Sequence, residues 1–241
     1  MMSKEDMPID ALGRNGYRYP MPVFKKSSRM LFIGDSITEM NRWLNENDRN
    51  HYLGHSFVFL LASRLAVDMP EAQLDFYNRG ISGNTVADLR NRWQEDAIDM
   101  NPDVLTVLIG VNDGGRDVSP EEYEADYHHI LKRSRDANPD LKLILMDPFV
   151  LQSGSLSGKG AWNCWQAITA AYRKRVARLA TEFDALHIPL QDLFDSAARI
   201  APASHWLWDG MHPLPQGHEL IARHWLMAVN ARWGNEREVR Q

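Results

Sequence analysis

Four short runs in this chain carry side chains whose types and spacing suit acyl transfer. They are Gly34-Asp35-Ser36-Ile37-Thr38, Asn78-Arg79-Gly80-Ile81-Ser82-Gly83-Asn84-Thr85, Gly110-Val111-Asn112-Asp113 and Trp208-Asp209-Gly210-Met211-His212-Pro213. A serine hydroxyl becomes a nucleophile when an imidazole nitrogen removes its proton. A carboxylate on the far ring nitrogen fixes the tautomer that can do so. Asp209 stands three residues before His212, close enough to serve that ring if the segment turns tightly. Ser36, His212 and Asp209 are therefore the candidate catalytic residues. Charge developing on a substrate oxygen calls for neutral donors, and the backbone N–H groups of Ser36 and Gly83 with the Asn112 amide are the candidates.

Each run also has a plainer reading. Gly-Asp-Ser alone reads first as a turn with a helix cap, and the Gly83 run as a glycine loop leading into a helix. Asn112-Asp113 after a strand is as readily a turn as a donor site, and Asp209 with His212 can be a purely structural pair. The joint occurrence of a nucleophile, two further donors and an acid–base pair makes the chemical reading the stronger one. Asp35, Trp208 and Trp206 are the candidate substrate-binding residues. With His205, the two tryptophans precede the acid–base turn, and an aromatic face suits a sugar ring; Trp208 is preferred.

The elements that must position these residues follow from hydrophobic period. Short apolar runs at Arg29 to Ile33, Leu74 to Asn78, Val104 to Ile109, Leu141 to Met146 and Ala185 to Ile188 read as buried strands. Helical spacing appears at Phe57 to Leu65 and at Val86, Leu89 and Trp93. Ser119-Pro120-Glu121-Glu122 is a capping box that starts a helix running towards Asn138, and further helices span about Ala161 to Glu182 and Gln216 to Trp233. Strands alternating with helices imply an α/β fold with a parallel sheet, in which functional residues gather at the carboxyl ends of the strands. The first three runs fall at such ends and the fourth in the final loop.

Composition narrows the partners. The 241 residues carry a formal charge of -5 with neither sign gathered into a long run, which disfavours nucleic acid and membrane surfaces. The single Cys164 excludes an internal disulfide and a cysteine-based zinc site, and the charged amino terminus lacks the apolar core of a signal peptide. A cytoplasmic location is expected. His128 with His129 and His218 with His224 have poor ligand spacing and read as surface or packing residues, and Arg173-Lys174-Arg175 as a solvated helix face. No metal or cofactor is expected. Residues 1–28 read as an amino-terminal arm, 29–234 as one domain and 235–241 as a tail. Gln152 to Gly160, small and polar, reads as a flexible rim without an assigned role.

The four runs resemble the sequence blocks of the GDSL or SGNH hydrolase family: Gly34 to Ser36, Gly83, Gly110 to Asp113, and Asp209 to His212. The longer strings LFIGDSIT, NRGISGNTVADL, IGVND and WLWDGMHP are most similar to intracellular bacterial acetylxylan esterases. The resemblance implies a flavodoxin-like three-layer sandwich with five parallel strands in the order 2-1-3-4-5. It also implies the catalytic and oxyanion roles above, a homo-oligomer, and deacetylation of xylo-oligosaccharides or related sugars. A thioesterase or lysophospholipase of the same family, and a non-catalytic carbohydrate-binding protein, are the alternatives. Many family members carry Asp where this chain has Asn84, which bears on contacts around Gly83 but removes no catalytic group.

Overall fold

The computed structural model describes residues 22–45, 47–48 and 50–234. Most of the expected arm and the whole tail at 235–241 lie outside the described residues. Five strands, β1 (Arg29–Gly34), β2 (Asp75–Gly80), β3 (Val104–Leu108), β4 (Lys142–Met146) and β5 (Leu186–Ile188), form one sheet. Its order is β2-β1-β3-β4-β5 and every pairing is parallel. The order reverses at β1, so the crevice between the loops after β1 and β3 is where a ligand site belongs in such a sheet.

Alternation along each strand builds two cores. Met30 and Phe32 of β1, Val104 and Leu108 of β3, and Ile144 and Met146 of β4 face one side. There they meet α2 (Phe57–Asp68), α7 (Leu190–Ala198) and α9 (Pro215–Trp233). Leu31, Ile33, Leu105, Val107, Leu143 and Leu145 face the other side, against α3 (Val86–Trp93), α5 (Pro120–Ala137) and α6 (Lys159–Glu182). Both faces are covered, which explains why the central strands read as continuous apolar runs and not as alternating ones. Thr106 is the polar exception. Its hydroxyl accepts the Trp225 indole N–H at 3.2 Å inside the first core, satisfying both groups. Phe24, within the span expected as an arm, packs in the same core, 6.5 Å from the Trp225 ring. Three short helices complete the set: α1 (Ser36–Glu39), α4 (Val111–Gly115) and α8 (Ala203–Trp206). No helix among the described residues is long and apolar enough to cross a membrane.

The turn that carries Ser36 occupies a slot cleared of side chains. Gly34 pairs with Gly80 at the carboxyl ends of β1 and β2. A Cβ on Gly34 would stand 2.1 Å from the Leu108 carbonyl oxygen, and one on Gly80 2.4 Å from the Glu39 nitrogen. The buried Asn78 amide secures the seat, donating to the carbonyls of Thr38 at 2.7 Å and Leu53 at 2.9 Å while its oxygen accepts the Gly80 N–H. Replacing Gly80 with Ala should therefore destabilise the fold by about 1–3 kcal/mol, the usual range for overpacking. At about 2–4 °C per kcal/mol for a chain of this size, the thermal midpoint followed by circular dichroism should drop measurably; an unchanged midpoint would refute the slot.

Candidate active site

Ser36 is the first residue of α1, and the helix is capped by its neighbour. The Asp35 carboxylate accepts the Ile37 N–H at 3.0 Å, while the Asp35 carbonyl accepts those of Thr38 and Glu39. These bonds hold Ser36 at the strand edge with its side chain half-exposed. Asp35 itself is 1% exposed, so it does not present its carboxylate to a substrate. The expectation of a substrate-binding Asp35 is corrected on that ground: its side chain is consumed as a helix cap. Burial pushes its carboxyl up to about 7, against the opposing pull of the Ile37 N–H and of His212.

The last loop brings the other two residues across 176 positions of sequence. The Ser36 hydroxyl lies 2.8 Å from His212 Nε2, and His212 Nδ1 lies 2.7 Å from an Asp209 carboxylate oxygen. An ionised carboxylate only accepts, so Nδ1 carries the proton and Nε2 is left as the acceptor for the serine hydroxyl. The other Asp209 oxygen accepts the N–H groups of Met211 at 2.9 Å and His212 at 2.8 Å. Partial burial works against the Asp209 charge. The His212 N–H, the His212 ring and the Met211 N–H outweigh it and hold this carboxyl below the ordinary carboxylate range. Gly210, at φ +95°, permits the tight turn.

The remaining candidate donors lie on the next two loops. Gly83 adopts φ +81°, a conformation that favours glycine, and its carbonyl accepts a bond from Arg116 at 2.8 Å. Asn112, the second residue of α4, spends one amide N–H on the Asn84 carbonyl at 3.0 Å, so the two loops are tied together. Asp113, fully buried, accepts the Val86 N–H at 3.0 Å and joins α4 to the start of α3; burial pushes its carboxyl up to about 6. Asn84, the departure from the family pattern, accepts from Arg92 Nε at 2.8 Å through its side-chain oxygen, while another Arg92 nitrogen donates to the Gly34 carbonyl. Through Arg92, Asn84 is bridged to the end of β1.

Of the two tryptophans, Trp208 is 63% exposed with its ring 6.4 Å from that of His212. Trp206 is 7% exposed and its indole N–H donates to the Ala197 carbonyl, so the structure corrects the expectation that it faces substrate: it is a core residue. His205 is exposed against the edge of Trp206. His218 is buried, its Nδ1 accepting the Phe57 N–H at 3.3 Å, and burial pushes its pKa down to about 3, so it packs as a neutral ring.

The first part of the segment expected as a flexible rim, Ser153 to Ser155, is instead a brace on the Asp209 turn, together with Leu151 just before it. Leu151 N–H donates to the Gly210 carbonyl, the Ser153 hydroxyl to the Leu207 carbonyl, and both the N–H and the hydroxyl of Ser155 to the Asp209 carbonyl. Gly154, at φ +48°, lies so close that a Cβ would stand 2.4 Å from Asp209 Cα. Small and polar residues signalled a loop; that they are small because they pack on the Asp209 backbone was not legible without the turn in place.

The Asp35 cap has a testable consequence for stability. Its carboxyl keeps a proton to higher pH in the folded than in the unfolded chain. Its contribution is thus complete below about pH 4, the unfolded value, and is lost as pH rises through about 7. Denaturant titrations of the native chain and Asp35→Asn should show the native advantage shrinking across that window; an advantage that grows with pH would overturn the assignment.

Comparisons with known proteins agree with this fold. The model of the GDSL-like Lipase/Acylhydrolase family matches residues 32–220. An acetylxylan esterase of Geobacillus stearothermophilus is 31% identical over 221 residues, covering 87% of this chain and 97% of that protein. A crystal structure of a catalytic mutant of a Geobacillus stearothermophilus acetylxylan esterase superposes with a TM-score of 0.78 at 29% identity, covering 89% of this chain and 99% of the other. A protein from Parabacteroides merdae named for its likeness to GDSL lipases superposes at 0.81 with 36% identity, covering 88% and 99%. A five-stranded sheet of this order, blocks at the strand ends and a match across most of the chain place it plainly: the chain belongs to the GDSL-like lipase/acylhydrolase family and is a carboxylic ester hydrolase.

Proposed function

We propose that this chain is a serine esterase that removes acetyl groups from sugars, with xylo-oligosaccharides or related saccharides as the alcohol. The observation that carries the mechanism is the unbroken relay from Ser36 Oγ to His212 Nε2 at 2.8 Å and from His212 Nδ1 to Asp209 at 2.7 Å. In this reading His212 takes the Ser36 proton as the oxygen attacks the ester carbonyl, and Asp209 steadies the imidazolium that results. The oxyanion is received by the N–H groups of Ser36 and Gly83 and by the Asn112 amide. His212 then protonates the leaving alcohol, and water repeats the sequence on the acyl-enzyme. The site residues supply every proton transfer this route requires.

Support for the sugar comes from two sources. The relatives include acetylxylan esterases, and catalytic variants of that enzyme replace a serine, an aspartate or a histidine by alanine. The exposed Trp208 ring stands beside His212, the group that delivers the proton to the departing alcohol, where an aromatic face can stack on a pyranose.

Ser36→Ala should abolish turnover with the fold intact, a loss of up to roughly 10⁶ by comparison with a serine hydrolase stripped of its nucleophile. Activity near that of the native chain would end the mechanism. Substrate is tested by specificity constants for aryl acetate, butyrate and octanoate beside acetate release from acetylated xylo-oligosaccharides. Acetyl esters should lead, and Trp208→Ala should harm the sugar substrate more than the aryl acetate. An octanoate preference with no acetate released from the sugars would transfer the chain to the lipid esterase or thioesterase class.

A further inference from the structure

Beside the two main cores lies a third, small apolar cluster that the sheet does not require. Val111, Val150 and Leu156 are buried in it, and Trp162, Trp165 and Met211 pack on it half-exposed. Its members sit between the two halves of the site. Val111 directly precedes Asn112 on α4, and Met211 directly precedes His212. Leu156 lies against Gly210 in the acid–base turn, where a Cβ would come within 2.8 Å of it. The Trp165 ring lies over Gly114 and Gly115, whose Cβ positions are 3.1 to 3.4 Å from Ile168 and from that ring. The start of α6 is thereby seated on the helix that carries Asn112, and Trp162 is its half-exposed aromatic residue one turn before Trp165.

We propose that Trp162, backed by Met211 and Val111, is a specificity-determining residue: it walls the acyl side of the cleft and limits the length of the acyl group. The proposal rests on the esterase reading above and adds the element that selects among esters. Chemistry assigns the side. A sugar brings hydroxyls that need hydrogen-bonding partners, and a cluster of valine, leucine, methionine and two indoles offers almost none. The methyl of an acetyl group asks for none. The alcohol side is already occupied by the open, exposed Trp208 beside His212. Trp165 is fixed against α4, so the wall cannot retreat far, and each added methylene must displace packed side chains.

A satellite cluster that merely stabilised the loop would change all substrates together. The test uses the purified full chain with aryl acetate, butyrate and hexanoate, comparing the native protein with Trp162→Ala and Trp162→Phe. Trp162→Ala should narrow the acetate-over-butyrate ratio in kcat/KM by about tenfold, or about 1.4 kcal/mol, within the overpacking cost that the two added methylenes of butyrate impose. Trp162→Phe, which keeps an aromatic wall and the fold, should narrow it less. The ratio of aryl acetate to acetylated xylo-oligosaccharide should hold, since the alcohol side is untouched. An equal loss on all three aryl esters, or a shift confined to the sugar ratio, would overturn the proposal while leaving the esterase reading in place. A native chain inactive on every ester would remove both.

Discussion

The site exists because backbone, and not side chains, meets at the carboxyl ends of β1, β2 and β3. Gly34 and Gly80 lie side by side there, and the turn that carries Ser36 is laid directly on their backbones. Close approach of this kind leaves no room for water, so the carbonyls enclosed there need donors from within the protein. Asn78 answers that demand for the end of α1 and for the Leu53 carbonyl, and Arg42 does so for Gly80, its Nε donating to that carbonyl at 2.9 Å. The turn that carries Ser36 is therefore fixed by steric exclusion on one side and hydrogen bonding on the other.

Two buried carboxyl groups extend the same logic to the donors. Asp35 closes the first turn of α1, and Asp113 closes the start of α3 while standing next to Asn112. Both are raised by burial towards neutrality, to about 7 and about 6. Each accepts a backbone N–H at the start of a helix, Ile37 for Asp35 and Val86 for Asp113. Asp209 differs, its carboxyl being held low by three bonds from its own turn.

Much of this was legible in the residues. The strand runs, the capping box at Ser119 and the alternation of elements anticipated the sheet to within a residue or so at most ends, because those signals are local. The family and its ester hydrolysis were legible because four blocks occur together in one order along the chain. What local pattern could not carry was direction and partner. Asp35 and Trp206 have residue types suited to a substrate, yet both are spent inward, one on a helix cap and one on the Ala197 carbonyl. The tryptophans at 162 and 165 gave no signal, since their place beside Asn112 depends on how α6 docks on α4. Helices α4, α7 and α8 also went unread: α4 and α8 are single turns, and α7 follows Pro189 at the end of a short edge strand.

The brace from Leu151 to Ser155 carries an implication for how such a chain can change over generations. Its length is locked to the aspartate turn by hydrogen bonds at three of its residues, with Gly154 pressed against Asp209 Cα. Insertions there would displace the acid. A few positions later the constraint ends: at Gly158 and Gly160 an added Cβ meets nothing within 4 Å. The stretch that aims the carboxylate thus runs straight into a stretch free to vary, just ahead of Trp162. Heritable variation in what the enzyme accepts can accumulate at the mouth of α6 while the reactive geometry behind it is inherited unaltered.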